Sequence, residues 1–295
     1  MSNTTPGGNQ EVLCVLGMHR SGTSLLTRIL NLIGVKLGPA EFLTTEPVAG
    51  NPKGYWEHSE LTMVSDAILK RHGGSWDKPP SLPPNWEADA ALDDLRNQAR
   101  QMIQDQFAGA ALWGWKDPRT CLTLPFWQRL LPDMRYIICL RNPSDVASSL
   151  GHRDRLSPEE SSHLWLAYIS SALHHTEGKP RLLVFYEDLM DDCLGELPRL
   201  AEFLGVPERA KQAEVQKAVV EFVEPGLQHF RAEIAPAAAR SRIELCASAL
   251  YIAQRISASL GRKQIDGQED FDNKMGEALE ALSQYSFPAP GHFPK

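Results

Sequence analysis

Residues 12–34 read VLCVLGMHRSGTSLLTRILNLIG, and the order of signals within them decides the fold. Val12 to Leu16 is a continuous apolar run ending at Gly17, the pattern of a strand buried on both faces of a parallel sheet. From Thr23 onward, Leu25, Leu26, Ile29, Leu30 and Ile33 fall on one helical face, with Gly34 as the stop. Between strand and helix lies GMHRSGTS, Gly17 to Ser24, whose two glycines, Gly17 and Gly22, have the spacing of a phosphate-binding loop. Glycines let the backbone curl until successive N–H groups and the helix N-terminus point at an anion, and the hydroxyls of Ser21, Thr23 and Ser24 add donors.

A nucleotide kinase places Lys and then Ser or Thr after the second glycine, the lysine reaching the outer phosphates and the hydroxyl holding magnesium. Thr23 stands at the lysine position here, and the cation has moved into the loop as Arg20. A guanidinium fork holds two oxygens of one tetrahedral anion, which favours a phosphosulfate over a magnesium triphosphate.

Working outward, residues 35–56 carry Gly and Pro at short intervals and read as loop, and helical spacing returns over 57–72 through Leu61, Val64, Ile68 and Leu69. SWDKPPSLPPNW, 75–86, cannot donate continuous backbone hydrogen bonds and reads as a lid or a surface loop. Helix is expected over 87–107 and 122–131, strand at LWGWK, 112–116. The strongest strand is Tyr136 to Leu140 within RYIICLR, followed by a helix begun by Pro143. LLVFY, 182–186, precedes a helix over about 189–204, and helical patterns fill the chain from about 207, one of them near 237–260. Strands alternating with helices imply an α/β fold: a single domain over 11–290 with a mainly parallel central sheet, P-loop NTPase-like, a helical C-terminal part and a disordered tail over 1–10.

Composition narrows the function. The chain has 295 residues, 42% of them apolar, with a formal net charge of −7, so it does not gather a nucleic-acid backbone and any anion site must be local. Cys14, Cys121, Cys139, Cys193 and Cys246 are widely spaced and lack metal or redox pairing; they read as free thiols. No signal segment or membrane span is evident, which points to the cytoplasm.

The strand RYIICLR delivers Arg141 at its carboxyl end, and NPSDVASS puts Ser149 about two turns along the next helix. That pair can hold a second phosphate away from the first loop, so the two sites together suggest a bisphosphorylated nucleotide. Here the chain resembles the sulfotransferase superfamily, through HRSGTSLL and LRNPSDVASSL. The resemblance runs from residue 12 to about 205. It implies 3'-phosphoadenylyl sulfate as co-substrate, no metal, Arg20, Ser21, Gly22, Thr23 and Ser24 on the 5'-phosphosulfate, and Arg141 and Ser149 on the 3'-phosphate. FYEDL, 185–189, is similar to the segment whose tyrosine lies by the adenine, which maps to Tyr186; a core aromatic is the alternative. The family's late Arg-Lys-Gly clamp is not evident. Gly261-Arg262-Lys263-Gln264 is a superficial likeness, and FVEPGLQHFR is either a replacement through His229 or Arg231 or a surface loop.

Transfer in line needs a base and charge stabilisation. Glu57 in NPKGYWEHSE resembles the catalytic glutamate of related sulfotransferases, with a helix-dipole role as the alternative and His58 as the other candidate base. WGWKDPR resembles the KDP segment of protein-tyrosine sulfotransferases, which assigns Lys116, with Arg20, to charge stabilisation. Asp117 either orients Lys116 or caps the next helix; Arg119 contacts the acceptor or forms a solvent ion pair. Of the seven tryptophans, Trp56, Trp76 and Trp86 lie where they could frame an acceptor hydroxyl on a saccharide, glycolipid or small metabolite, and the other four read as core. Two alternatives remain: a kinase or NTPase using ATP, and a nucleotide-binding protein without catalysis.

Overall fold

The computed structural model describes residues 10–48, 50–223 and 241–262. The N-terminal tail, His229, Arg231, Lys263, Gln264 and the expected domain end at 290 lie outside the described residues.

Four parallel strands form one sheet: β1 (Glu11–Leu16), β2 (Leu112–Lys116), β3 (Met134–Leu140) and β4 (Arg181–Phe185), in the order β2-β1-β3-β4. The helices are α1 (Thr23–Leu32), α2 (Ser59–Arg71), α3 (Asp93–Phe107), α4 (Thr120–Leu130), α5 (Pro143–Asp154), α6 (Pro158–His175), α7 (Tyr186–Asp191), α8 (Cys193–Phe203), α9 (Ala213–Phe222) and α10 (Arg242–Arg262). This is the α/β architecture that the alternation of strands and helices implies.

The period of two along each strand sorts the core onto two faces. Leu13 and Val15 of β1, with Ile137 and Cys139 of β3, pack under α1, α8 and α9. Cys14 and Leu16, with Trp113, Trp115, Tyr136 and Ile138, pack under α2 to α6 and α10. Trp113, Trp115, Trp127 and Trp165 are fully buried, as the core reading required.

Several boundaries differ from expectation. α3 starts at Asp93 because two short 3-10 turns, Trp86–Ala88 and Ala90–Leu92, intervene. α4 contains Pro125, which cannot bond the carbonyl four residues back. That carbonyl, of Cys121, accepts from Ser171 Oγ at 2.6 Å instead. The helix expected over 189–204 is two helices, split at Asp192, whose side chain accepts from Gly195 N. α6 was not anticipated; Ser157 and Glu160 form a reciprocal capping box at its start. Residues 75–86 are fastened rather than lid-like: Trp76 O accepts from Tyr168 at 2.7 Å, Trp86 is buried and Leu82 packs on the core.

β1 runs between β2 and β3, so the sheet's connections diverge to either side of it. All four strands point the same way, and the crevice at the carboxyl ends of β2, β1 and β3 is where such sheets bind ligands.

Candidate active site

The loop after β1 is built from left-handed backbone. Arg20 has φ 68° and Gly22 φ 82°. A non-glycine residue in that region costs about 1 kcal/mol or more, and the surrounding bonds must hold it. Two buried thiols help: Gly17 N donates to Cys121 Sγ at 3.2 Å, and Cys139 Sγ donates to Ser21 O at 3.1 Å. A Cβ on Gly22 would come within 2.1 Å of Tyr186 Cδ2, so the ring of Tyr186 lies directly on the loop. Among the described residues no side chain caps α1, and a helix's first-turn amides have no partner within the helix itself.

Arg20, Gly22, Thr23 and Ser24 line a cleft of about 900 Å³, partly open solvent, together with Glu57, Lys116, Arg141 and Tyr186. Ser21 does not; it is fully buried and its Oγ has no partner among the described residues.

The two halves of the sequence pattern meet. β1 and β3 are neighbours, Arg20 Nε donates to Ser149 Oγ at 2.8 Å, and Arg141 donates to Arg20 O at 3.1 Å. Ser149 therefore touches Arg20, so the two motifs are in contact, and Ser149 itself does not line the cleft. The Arg141 guanidinium lies 4.5 Å from the centroid of the Tyr186 ring, a cation–π contact. Burial pushes the Tyr186 phenol up against the opposing pull of Arg141. Burial, and then Arg153, push Arg20 below the usual arginine value.

Lys116 arrives from the carboxyl end of β2. Its Nζ donates to Glu57 Oε1 at 2.6 Å and to Ser24 Oγ at 3.4 Å, and lies 5.9 Å from the Tyr55 ring centroid. The two charged side chains are 1% and 13% exposed, a pair largely removed from water. Glu57 is fixed by its backbone, whose N donates to Thr44 Oγ1 and whose O accepts from Thr44 N. Glu57 thus faces a cation across the cleft rather than serving only the dipole of α2.

His58 has a different task. It caps α2, Nδ1 accepting from Leu61 N at 3.5 Å, which leaves Nε2 as donor to Gln106 Oε1 at 2.6 Å. It is buried, stacked on Phe42, and does not line the cleft. Asp117 bonds Arg119 rather than Lys116, its Oδ1 accepting from Arg119 N and Nη1, with Arg119 at the start of α4. Burial raises the Asp117 carboxyl to about 6; Glu57 adds to the rise and Arg119 opposes it. Arg119 also approaches Asp66 and does not line the cleft.

The sequence reading missed Tyr55, Lys53, Arg153 and Phe222, all of which line the cleft. Arg153 follows Ser149 by four residues on the same face of α5, a spacing that could have disclosed it. Phe222 comes from α9, beyond the recognised motifs, and Lys53 Nζ lies 5.2 Å from its ring centroid. Of Trp56, Trp76 and Trp86, none lines the cleft: Trp86 is core, Trp76 backs His19 and Arg153, and Trp56 stacks under Arg28. The lining carries the cations Arg20, Lys53, Lys116, Arg141 and Arg153 against one carboxylate, Glu57. A chain of net charge −7 has concentrated positive charge in one crevice.

Residues 13–210 match the sequence model of the sulfotransferase family. The chain belongs to the sulfotransferase family. No curated protein matches it. Among solved structures, a sulfotransferase from Mycobacterium avium is 16% identical at a TM-score of 0.47, over 97% of this chain and 79% of that one. The sulfotransferase domain of the Synechococcus PCC 7002 olefin synthase is 16% identical at 0.46, over 96% and 99%. A sulfotransferase from Alicyclobacillus acidocaldarius is 16% identical at 0.41, over 94% and 97%. The family assignment rests on the sequence match over 13–210, which runs from within β1 to the turn before α9 and so includes Arg20 to Ser24, Glu57, Lys116, Arg141, Ser149 and Tyr186 of this sulfotransferase. No helix among the described residues is long and apolar enough to cross a membrane.

Proposed function

We propose that this sulfotransferase moves a sulfuryl group from 3'-phosphoadenylyl sulfate to an acceptor hydroxyl. The observation that carries the reading is the cleft itself: five cations and one carboxylate around an uncapped helix N-terminus. The lining fits a polyanionic donor. The amides of Gly22 to Ser24 and the Arg20 guanidinium suit the phosphosulfate, and Arg141 suits the 3'-phosphate, with Ser149 steadying Arg20 rather than binding on its own. Tyr186, which touches Gly22 and Arg141 and lines the cleft, suits the neighbourhood of a purine.

The chemistry follows in line. Glu57 takes the acceptor's proton as the acceptor oxygen forms its bond to sulfur and the bond from sulfur to the phosphate bridging oxygen breaks. Oε1 is occupied by Lys116, and Oε2 has no hydrogen bond to a described residue and is available for that proton. Lys116, held between Glu57 and Ser24, and Arg20 offset the charge that spreads over the sulfuryl and bridging oxygens. The products are a sulfate ester and 3'-phosphoadenosine 5'-phosphate. The acceptor is a hydroxyl of a saccharide, glycolipid or small metabolite; an aromatic platform for it is Tyr55, since the three tryptophans do not reach the cleft. The same reading keeps the enzyme in the cytoplasm, with its cysteines as thiols and no metal required.

Sulfur-labelled donor incubated with the protein and a panel of hydroxyl acceptors tests this. Label should pass to an acceptor, and Glu57→Gln should cut the rate by about a hundredfold or more while donor affinity holds. Transfer by Glu57→Gln at the wild-type rate would remove Glu57 as base.

A further inference from the structure

The C-terminal helix α10 lies beyond the part of the chain that matches the family, yet it reaches the turn that carries Arg141. Tyr251 OH donates to Glu187 Oε2 at 2.8 Å, and the other oxygen of that carboxylate, Oε1, accepts from Asn142 N at 2.8 Å. On the opposite side of the same turn, Trp165 Nε1 donates to Arg141 O at 3.2 Å. The Tyr251 ring meets both Trp165, at 6.5 Å between centroids, and Phe185, at 5.8 Å. A second clasp holds the same helix: Arg255 donates to Asp188 at 2.6 Å and lies 4.6 Å from the Phe185 ring centroid.

We infer that Tyr251 is a positioning residue for the 3'-phosphate end of the donor site, acting through Glu187 on the Arg141–Asn142 peptide. The inference rests on the donor reading above. The physical reason is that Arg141 is the first residue after β3, so its side chain is aimed by that peptide, and the peptide is gripped on both sides by groups that Tyr251 touches. Asn142 then caps α5 by accepting from Ser144 N, which extends the same control to the start of the helix bearing Ser149 and Arg153. Burial and the Glu187 carboxylate push the Tyr251 phenol well up, so it remains a proton donor across the physiological range. A hydrogen bond to a carboxylate is among the stronger kinds, and losing it frees Glu187 to rotate and release Asn142 N.

The test is Tyr251→Phe, with Glu187→Gln as a second variant, titrated with 3'-phosphoadenosine 5'-phosphate and with adenosine 5'-phosphate. The two ligands differ only in the 3'-phosphate, so their ratio of affinities is independent of the folded fraction. In each variant the bisphosphate should bind about tenfold more weakly than to wild type, the size expected of one such bond, with the monophosphate unchanged. The double variant should lose no more than the worse single one, since both act on one peptide. Equal weakening of both ligands, or an unchanged ratio in both variants, overturns the inference while a wild-type preference for the bisphosphate leaves the donor reading standing. A wild-type protein that does not prefer the bisphosphate overturns both.

Discussion

Replacing Lys116 by methionine removes the charge and keeps most of the side chain's length, and the structure fixes how much should be lost. The ammonium is 2.6 Å from Glu57 Oε1, in a pair whose members are 1% and 13% exposed. Breaking a fully buried pair costs about 3–5 kcal/mol, because the surviving charge is left uncompensated. Glu57 keeps some contact with water, so the expected loss is at or below the lower end, about 2–3 kcal/mol. Turnover should fall separately, by about 10²–10³, the usual cost of deleting one preorganised donor to developing charge. Urea unfolding reads the first quantity and initial rates with labelled donor read the second. The double variant Glu57→Gln, Lys116→Met separates them: with both charges gone, stability should return to within about 1 kcal/mol of wild type, and turnover should not return. An unfolding free energy unchanged by Lys116→Met, or a double variant that recovers activity, would refute the argument that Lys116 both compensates the buried Glu57 and stabilises developing charge.

Arg20→Ala should lower kcat/KM by at least about a hundredfold and leave the far-ultraviolet circular dichroism of the sheet and helices intact; rates near wild type would take the loop out of the mechanism. His58→Asn keeps a side chain that caps helices well and removes the imidazole, so turnover should stay within about threefold of wild type; a collapse would restore His58 as base. Asp117→Asn reports on pH. The folded carboxyl titrates at about 6 against about 4 when unfolded, so between these values the native state holds a proton that the unfolded chain has released. Its contribution is present below the unfolded value and lost as pH rises through the folded one. Stability of the wild type should therefore fall across that window relative to Asp117→Asn, and parallel curves would show that Asp117 titrates normally.

The donor side of the cleft was legible because it is local in sequence. Loop and helix N-terminus come from consecutive residues, and Arg141 follows a strand whose apolar run is unmistakable. The tie between Arg20 and Ser149 was not legible, because it depends on β1 and β3 being neighbours, which no spacing within either motif encodes. The same limit explains His58. On paper it neighbours Glu57, and only the packing of α3, which brings Gln106 and Phe107 against it, makes it a cap. The tryptophans misled for a related reason: aromatic residues in Pro-rich loops suggest an exposed platform, whereas Tyr168 and the core hold residues 75–86 down. α6 escaped notice because it is apolar over much of its circumference, as a helix sandwiched between α4, α5 and α10 must be, and so lacks a clean single-face period. Tyr251 lies more than sixty residues from Glu187 and could be found only from the fold.

The measurement that bears most directly on the account is calorimetric titration of the purified protein with 3'-phosphoadenosine 5'-phosphate, with magnesium ATP as the control. The account predicts binding of the bisphosphate at about micromolar or tighter, with ATP at least about tenfold weaker. A clear preference for magnesium ATP, or no binding of the bisphosphate, would contradict it.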